Sequence, residues 1–527
     1  MEESRNAVVL TCLVIYFALC IGVGIWALRR TKSTQDFFMA GRELGIIVTA
    51  FALFSSTLSG FGFVGGPGLV YSQGMTSVWM IVCGTVASCF TFFLVAKRLR
   101  IFSEVYQTVS LPDTVALRYQ SETSRFLTAV AIILGVVGYL AAQIMAMAVV
   151  LQEILNSVDW VPHVSLGAAM TISVAVLVFY CVTGGIIAGV YTDVVQGAVM
   201  AIAGVLVLIA AIQAVDGGVA GGAMTVVNDD PEAIGPWGTL GIMGALSYYL
   251  LFVVGACGQP HIVTKLMMNK RIRQFKQIFL VSAIAGTLAA LLWIAIGFAM
   301  RALVVGGDHA ELGQPDDAAY AFLQSYAHPI LAGVVFAGLF AAIMSTADGF
   351  LNIGAAAIIH DIPKALTGKP IKRELFWARV ATLALAVGAA LFVSLSKEDL
   401  VALLGTFGWG TFAAALVPTV AIGFNWKRAT PLAANVAIVS GLLVNFVIEI
   451  AKIQVPHGIH GGAISLLLSL TLFFGISLLS KPRPLPDEID AILDLKNTGC
   501  AGVPAGIRRR RPTAGAACDS LPPPPPP

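Results

Sequence analysis

Charge is what this chain has least of. Of its 527 residues only 12% are Asp, Glu, Lys or Arg, where an ordinary soluble domain has about a quarter. That excludes a typical soluble enzyme, a disordered chain and a coiled coil. The formal net charge is +3, from 32 Lys+Arg against 29 Asp+Glu, too balanced for a nucleic-acid partner. The eight cysteines include no CxxC pair, so neither a zinc site nor a disulfide framework is legible. Those in apolar stretches, such as Cys20 and Cys181, read as small packing residues. The seven histidines show no metal-ligand spacing, and no P-loop, dinucleotide or zinc-protease motif occurs. What is abundant is apolar: 57% of residues, with mean hydropathy +0.86. That composition indicates an all-α polytopic membrane protein in contact with the lipid bilayer.

A membrane helix needs about 20 apolar residues. Residues 7–28 qualify, and the acidic start MEESR with Arg29-Arg30 behind the span marks a retained helix rather than a signal peptide. An uncharged run over 45–96 holds two spans, divided near Tyr71–Gly74. Further spans are expected at about 124–155, 161–183, 189–214, 238–258, 277–303, 328–360, 375–396, 400–424, 431–451 and 461–480. That makes thirteen transmembrane helices, with the termini on opposite sides. With the N-terminus outside, 26 of the 32 Lys+Arg fall in inside segments and only Arg5, Lys397 and Lys452 outside. The positive-inside rule therefore puts the C-terminus in the cytoplasm of a multi-pass plasma (inner) membrane protein. The tail 481–527 is Pro-rich and carries Arg508–Arg511. It is expected to be disordered, its arginines serving either as contacts to anionic lipid or as topology charges.

Two spans carry breaks. Between Gly60 and Gly68 stand five glycines and Pro67, just after Ser55, Ser56, Thr57 and Ser59. Such a stretch is a poor helix, and bare backbone polar groups in hydrocarbon cost several kcal/mol each. It must be buried in protein or line a polar cavity. Five spans later Gly255, Gly258 and Pro260 interrupt 247–261. Interrupted segments at corresponding positions point to two five-helix halves, an inverted repeat. In the ninth span Ser345 and Thr346 are adjacent hydroxyls, with Asp348 within one turn. An ionisable residue inside a span is a functional candidate, although it can also simply fasten helices. Asp193 and Gln196 open the sixth span, where the carboxylate either serves a site or caps the helix N-terminus.

The segments QDFFMAGRELG (35–45), SGFGFVGGPG (59–68), TGGIIAGVYTDVVQ (183–196), GQPHI (258–262) and AAIMSTAD (341–348) together resemble the sodium:solute symporter family. The resemblance implies the five-plus-five inverted-repeat transporter core with discontinuous helices, here 45–425. Residues 1–44 then hold an extra span and a cytoplasmic loop, 426–480 two C-terminal spans, and 481–527 the tail. It implies coupling to Na+, held by carbonyls of Ser55, Leu58 and Ala342 and hydroxyls of Ser345 and Thr346. Neutral oxygens of that kind suit a hard cation. Thr57 stands where proline-carrying members have an aspartate, and Asp348 and Gly349 stand where some members place hydroxyls of a second sodium site. The second site is therefore altered or absent, or Asp193 and Asp348 form a second cation or proton site. Solute-contacting candidates are Thr57, Ser59, Gly60, Gln143, Phe252 and Pro260. The expected activity is sodium-coupled import of a small organic solute by alternating access, an amino acid such as proline or a related zwitterion. The alternatives are symport of a small carboxylate, of monocarboxylate or pantothenate type, with sodium or protons, and further off a transporter-like sensor or a passive channel. No covalent chemistry is expected.

Overall fold

The computed structural model describes residues 2–57, 59, 61–395, 401–481 and 484–494. Among them the chain is helical throughout; the only β-pairing is an isolated bridge between Leu44 and Asn269. Among the described residues nine helices are long and apolar enough to cross a membrane, or ten if the bent pair Ile46–Thr57 and Gly62–Gln73 is one crossing. This is short of the thirteen expected. Leu166–Ala214 is helical over 49 residues but consists of two helices joined at Gly185, each roughly long enough at 1.5 Å per residue to cross a hydrocarbon core of about 30 Å. Gly185, at φ 54°, kinks it internally. A side chain there would meet both left-handed backbone strain and the Phe37 ring, 2.6 Å from a Cβ. The short loop expected between 183 and 189 is thus a kink within one helical run.

Lipid-facing and protein-facing surfaces separate along the helices. In Pro329–Ala356 every residue from Gly338 to Ala356 is buried, so this helix runs through the middle of the bundle. It packs on Leu166–Ala214, on Glu2–Leu28 and on Glu122–Asn156. By contrast Leu391, Phe392, Leu443 and Leu479 are exposed on Glu374–Leu395, Pro431–Ile450 and Gly461–Leu479. Large exposed apolar side chains in a row mark helices meant to face hydrocarbon.

The tail departs from expectation. Residues 487–494, expected to be disordered, form the helix Asp487–Asp494. Ile489, Ile492 and Leu493 are buried on one face, and the polar face is tied down. Lys427 Nζ lies 2.8 Å from both Asp490 Oδ1 and Asp494 Oδ2. Tyr106 donates to Glu488 at 3.3 Å, and Arg98 to the Leu493 carbonyl. An amphipathic face of three apolar residues suffices here because a preformed surface receives it. The arginine run 508–511 lies outside the described residues.

Candidate functional site

Both sequence-flagged breaks are real. The first helix, Ile46–Thr57, stops at the hydroxyl cluster, and the chain resumes at 61–65 in a wider turn before Gly66–Gln73. The two arms meet at 60°. The Ser59 carbonyl accepts from the amides of Gly62 at 2.8 Å and Phe63 at 3.3 Å. At the second break, Gly241–Gly255 tightens over Ala256–Gly258, Gln259 is extended, and Pro260–Met267 starts a new helix. Proline at the start of a helix loses no hydrogen bond. The Gln259 side chain takes up freed carbonyls, donating to Gly255 at 3.2 Å and Trp409 at 3.1 Å.

The Ser345-Thr346 pair lies against the end of the first arm. Ser345 Oγ donates within reach of the Ser55 carbonyl (3.2 Å) and the Ala342 carbonyl (3.0 Å). Thr346 Oγ1 reaches the carbonyls of Ser56 (3.3 Å) and Ala342 (3.1 Å). Ser55 Oγ is 2.8 Å from Ser345 Oγ. Four of the five residues expected to supply oxygens, Ser55, Ala342, Ser345 and Thr346, are therefore gathered within hydrogen-bond distance, all fully buried. The fifth, Leu58, lies outside the described residues, as does Gly60. These are neutral oxygens, and the hydroxyls can turn their protons away to present lone pairs to a hard cation.

Asp193 has no solvent access. It sits eight residues past the kink at Gly185, some 12 Å along the axis, beyond the first turn where a helix N-terminus acts. The helix-capping reading is therefore set aside. Its charge is met instead by Lys265, whose Nζ is 2.8 Å from Asp193 Oδ2. Lys265 also donates to the Ala52 carbonyl at 3.2 Å and to Ser56 Oγ. Ser55 Oγ donates to Asp193 Oδ1 at 3.3 Å. The ammonium thus joins the second broken segment to the first beside the hydroxyl pair. Sequence reasoning missed it by counting Lys265 simply as one of the 26 inside cations. The available signal was a lysine five residues after Pro260 in an otherwise apolar stretch.

Asp348 takes its hydrogen bond from a different element. Its Oδ2 accepts from Tyr180 OH at 3.4 Å, and Oδ1 has no hydrogen-bond partner among the described residues. Gly189 makes room for it: a Cβ there would stand 2.1 Å from Asp348 Oδ2. The nearest hydrogen-bonding partner of Asp193 is thus Lys265, not Asp348.

A cavity of about 380 Å³ opens beside the first break. Thr57 and Phe252 line it, with Tyr139, Trp409, Trp293 and Ser282. A smaller chamber of about 70 Å³ shares Thr57, Phe252 and Trp409 and adds Ala256. Phe252 and Trp409 stack with ring centroids 5.0 Å apart, and Trp409 Nε1 donates to the Leu251 carbonyl at 3.2 Å. Among the described residues no charged side chain lines either space. Ser59 touches the larger cavity indirectly, its Oγ 3.1 Å from the Tyr139 hydroxyl. Gln143 and Pro260 are buried but do not line it. The aromatics Tyr139, Trp293 and Trp409 were not singled out in the sequence, because an aromatic at a helical position looks the same whether it packs or lines a cavity.

Residues 37–441 match the model of the sodium:solute symporter family. The osmoregulated proline transporter OpuE of Bacillus subtilis (strain 168) is 26% identical over 488 residues, covering 90% of this chain and 95% of that protein. The sodium/pantothenate symporter of Escherichia coli (strain K12) is 27% identical over 469 residues, covering 88% and 94%. Among solved structures, the substrate-bound outward-open state of a Na+-coupled sialic acid symporter superposes with a TM-score of 0.73 at 18% identity, covering 91% of this chain and 99% of that one. A nucleobase-cation-symport-1 family transporter follows at a TM-score of 0.54 and 16% identity, covering 87% and 98%.

Proposed function

Because this chain belongs to the sodium:solute symporter family, we propose that its sodium ion binds where Ser345 and Thr346 meet the broken end of Ile46–Thr57 and that its solute binds in the adjoining cavity. The observation that carries this is the convergence of the Ser55, Ala342, Ser345 and Thr346 oxygens at one point beside Thr57. Leu58, the fifth expected ligand, lies outside the described residues.

The solute is a small organic molecule without net charge, an amino acid such as proline or a related zwitterion. Support comes from the cavity lining, which offers hydroxyls and aromatic faces but no charged side chain. A zwitterion's carboxylate is met by backbone amides after the first break, where Ser59 and Gly60 stand, and its apolar part by Phe252 and Trp409. Gln143 and Pro260 shape the site from behind. A small carboxylate is the second reading, favoured by similarity to a sodium/pantothenate symporter. Proton rather than sodium coupling is the corresponding alternative for the ion.

Transport runs by alternating access. Sodium holds the first broken helix against Pro329–Ala356 and so completes the solute pocket. Rocking of the bundle then exposes both to the other side. Lys265 compensates Asp193, and the five oxygens are neutral, so the ion carries its own charge through the field. One charge falling through 100 mV gains about 2.3 kcal/mol, and a tenfold sodium gradient adds about 1.4 kcal/mol. Together they sustain roughly few-hundredfold accumulation of a neutral solute per ion. A second sodium beside Asp193 would compete with the Lys265 ammonium. Asp348, with one oxygen lacking a hydrogen-bond partner among the described residues, is the candidate for a second cation or a proton. An unchanged charge-to-solute ratio in Asp348→Asn vesicles would remove it from coupling.

The core 45–425 is read as two five-helix inverted halves, preceded by one span in 1–44 and followed by two in 426–480. Thirteen crossings are supported by the nine long helices, the bent pair, the division of 166–214 at Gly185, and the helical runs at 75–96 and 401–422. The N-terminus is placed outside and the C-terminus in the cytoplasm, on the distribution of Lys and Arg. The arginine-bearing tail is assigned to the anionic lipid of that face. The test is uptake into vesicles, screened over amino acids, betaines and small carboxylates with and without a sodium gradient. Uptake of a zwitterion that needs sodium supports the reading; uptake indifferent to sodium overturns it.

A further inference from the structure

A second cluster of ionisable side chains lies away from the ion and solute sites. Asp113 belongs to Leu111–Tyr119, and His360 and Asp361 to the widened turn Ala357–Asp361 that continues Pro329–Ala356. His360 is fifteen residues beyond Ser345, about 22 Å along the helix. All three are buried, and one donor atom from each lies within 4.8 Å of the other two.

The hydrogen bonds fall on the outer atoms of the three groups. His360 Nδ1 is 2.6 Å from Glu374 Oε1. An ionised carboxylate only accepts, so a ring proton sits on Nδ1, and Nε2 faces inward toward Asp113, able to ligate an ion once it gives up any proton of its own. Among the described residues Nε2 has no hydrogen-bond partner, its distance to Asp113 Oδ2 being 3.6 Å, too long for one. Asp113 Oδ1 takes Lys364 Nζ at 2.7 Å and the Arg125 guanidinium, while Oδ2 receives only the long Val109 amide contact of 3.4 Å. Asp361 Oδ1 accepts from Ser110 at 2.6 Å, and Oδ2 is buried without a partner among the described residues. Each side chain is thus oriented through one atom, and each has a further buried atom without a strong partner among the described residues. Isolated buried acceptors of this kind are expensive unless something cationic meets them.

The charges agree. Asp113, Asp361, Glu122 and Glu374 face the fixed cations Arg125 and Lys364. With all four carboxylates ionised, one negative charge is left over beside a protonated His360 and two once an ion displaces that proton. A carboxylate holding the far nitrogen of a histidine is the usual outer support of a metal-ligating imidazole.

We infer that Asp113, His360 and Asp361 form a binding site for a borderline divalent metal ion of the Zn2+ class, with Glu374, Ser110, Lys364 and Arg125 orienting the ligands. One nitrogen and two carboxylate oxygens, with water in the fourth position, satisfy a tetrahedral ion. Small side-chain rotations bring the donors to the separation of about 3.4 Å that bonds of about 2.1 Å require. The ion would tie Leu111–Tyr119 to the end of the central helix at one end of the bundle. Sequence spacing concealed the set, because Asp113 is remote from His360-Asp361 in the chain.

The experiment uses the full-length chain in detergent, free of any affinity tag and stripped with chelator, titrated with Zn2+ alone by calorimetry and thermal shift. One saturable Zn2+ per chain is expected, weakened at least tenfold in His360→Gln and in Asp361→Asn. Glu374→Gln, which keeps all three ligands, should weaken binding about tenfold. His163→Gln, an exposed histidine elsewhere, should bind like wild type. If His360→Gln fails to fold, Glu374→Gln decides. Absence of a saturable Zn2+ site, or an affinity unchanged in the ligand and Glu374 variants, overturns the assignment.

Discussion

Lys265 Nζ lies 2.8 Å from Asp193 Oδ2, and neither side chain is more than 1% exposed. Removing one member of a buried pair leaves an uncompensated charge and costs roughly 3–5 kcal/mol, whereas replacing both with neutral groups of similar size is often tolerated. Lys265→Met should therefore lose most folded protein in membranes and lower the thermal midpoint sharply. The double variant Lys265→Met/Asp193→Asn should recover much of both. A double variant no better than the single would show that the two residues are not coupled.

The stacked pair Phe252 and Trp409 walls both chambers of the cavity. Phe252→Ala removes one aromatic face without touching the oxygens around Ser345. It should raise the solute KM about tenfold, near 1.4 kcal/mol. Stabilisation by sodium alone, read by thermal shift without solute, should stay at the wild-type level. Loss of the sodium response in this variant would contradict the separation of the two sites.

Ala256 lines only the smaller chamber of about 70 Å³. Ala256→Tyr places a ring there that the space cannot hold without displacing the solute. Uptake of larger solutes should fall more than that of smaller ones, measured as a ratio of kcat/KM values. Equal losses across solute sizes would mean the chamber is not part of the binding space.

The helix Asp487–Asp494 buries Ile492 completely, worth about 1.5–3 kcal/mol for a side chain of that size. Ile492→Asp should release it. Protease cleavage between 480 and 495 should accelerate strongly, while sodium-dependent uptake continues. Unchanged cleavage would mean the helix is not held by that face.

How much could be read beforehand follows from what each residue announces locally. The glycines at 60–68, the Gly255–Pro260 interruption and the Ser345-Thr346 pair break local rules for an apolar helix, so they were visible as sites. Lys265 was not, because a lysine near a span end is indistinguishable from a loop cation until its partner on another helix is known. Asp193 was visible but its role was not, since its neighbour lies 72 residues away in the chain. Tyr139 and Trp409 obey every rule of a packed helix. At Gly185 one non-helical residue joins two expected spans, so the loop expected between them is absent. The helix at 487–494 depends on a receiving surface that no local pattern encodes.

The most direct test is the sodium dependence of solute uptake in proteoliposomes for wild type, Ser345→Ala and Thr346→Ala. Each variant loses one oxygen from the set around Ser55 and Ala342. The half-saturating sodium concentration should rise at least tenfold in each, about 1.4 kcal/mol, with maximal uptake restored at high sodium. A half-saturating concentration unchanged in both variants would contradict the ion site and the coupling built on it.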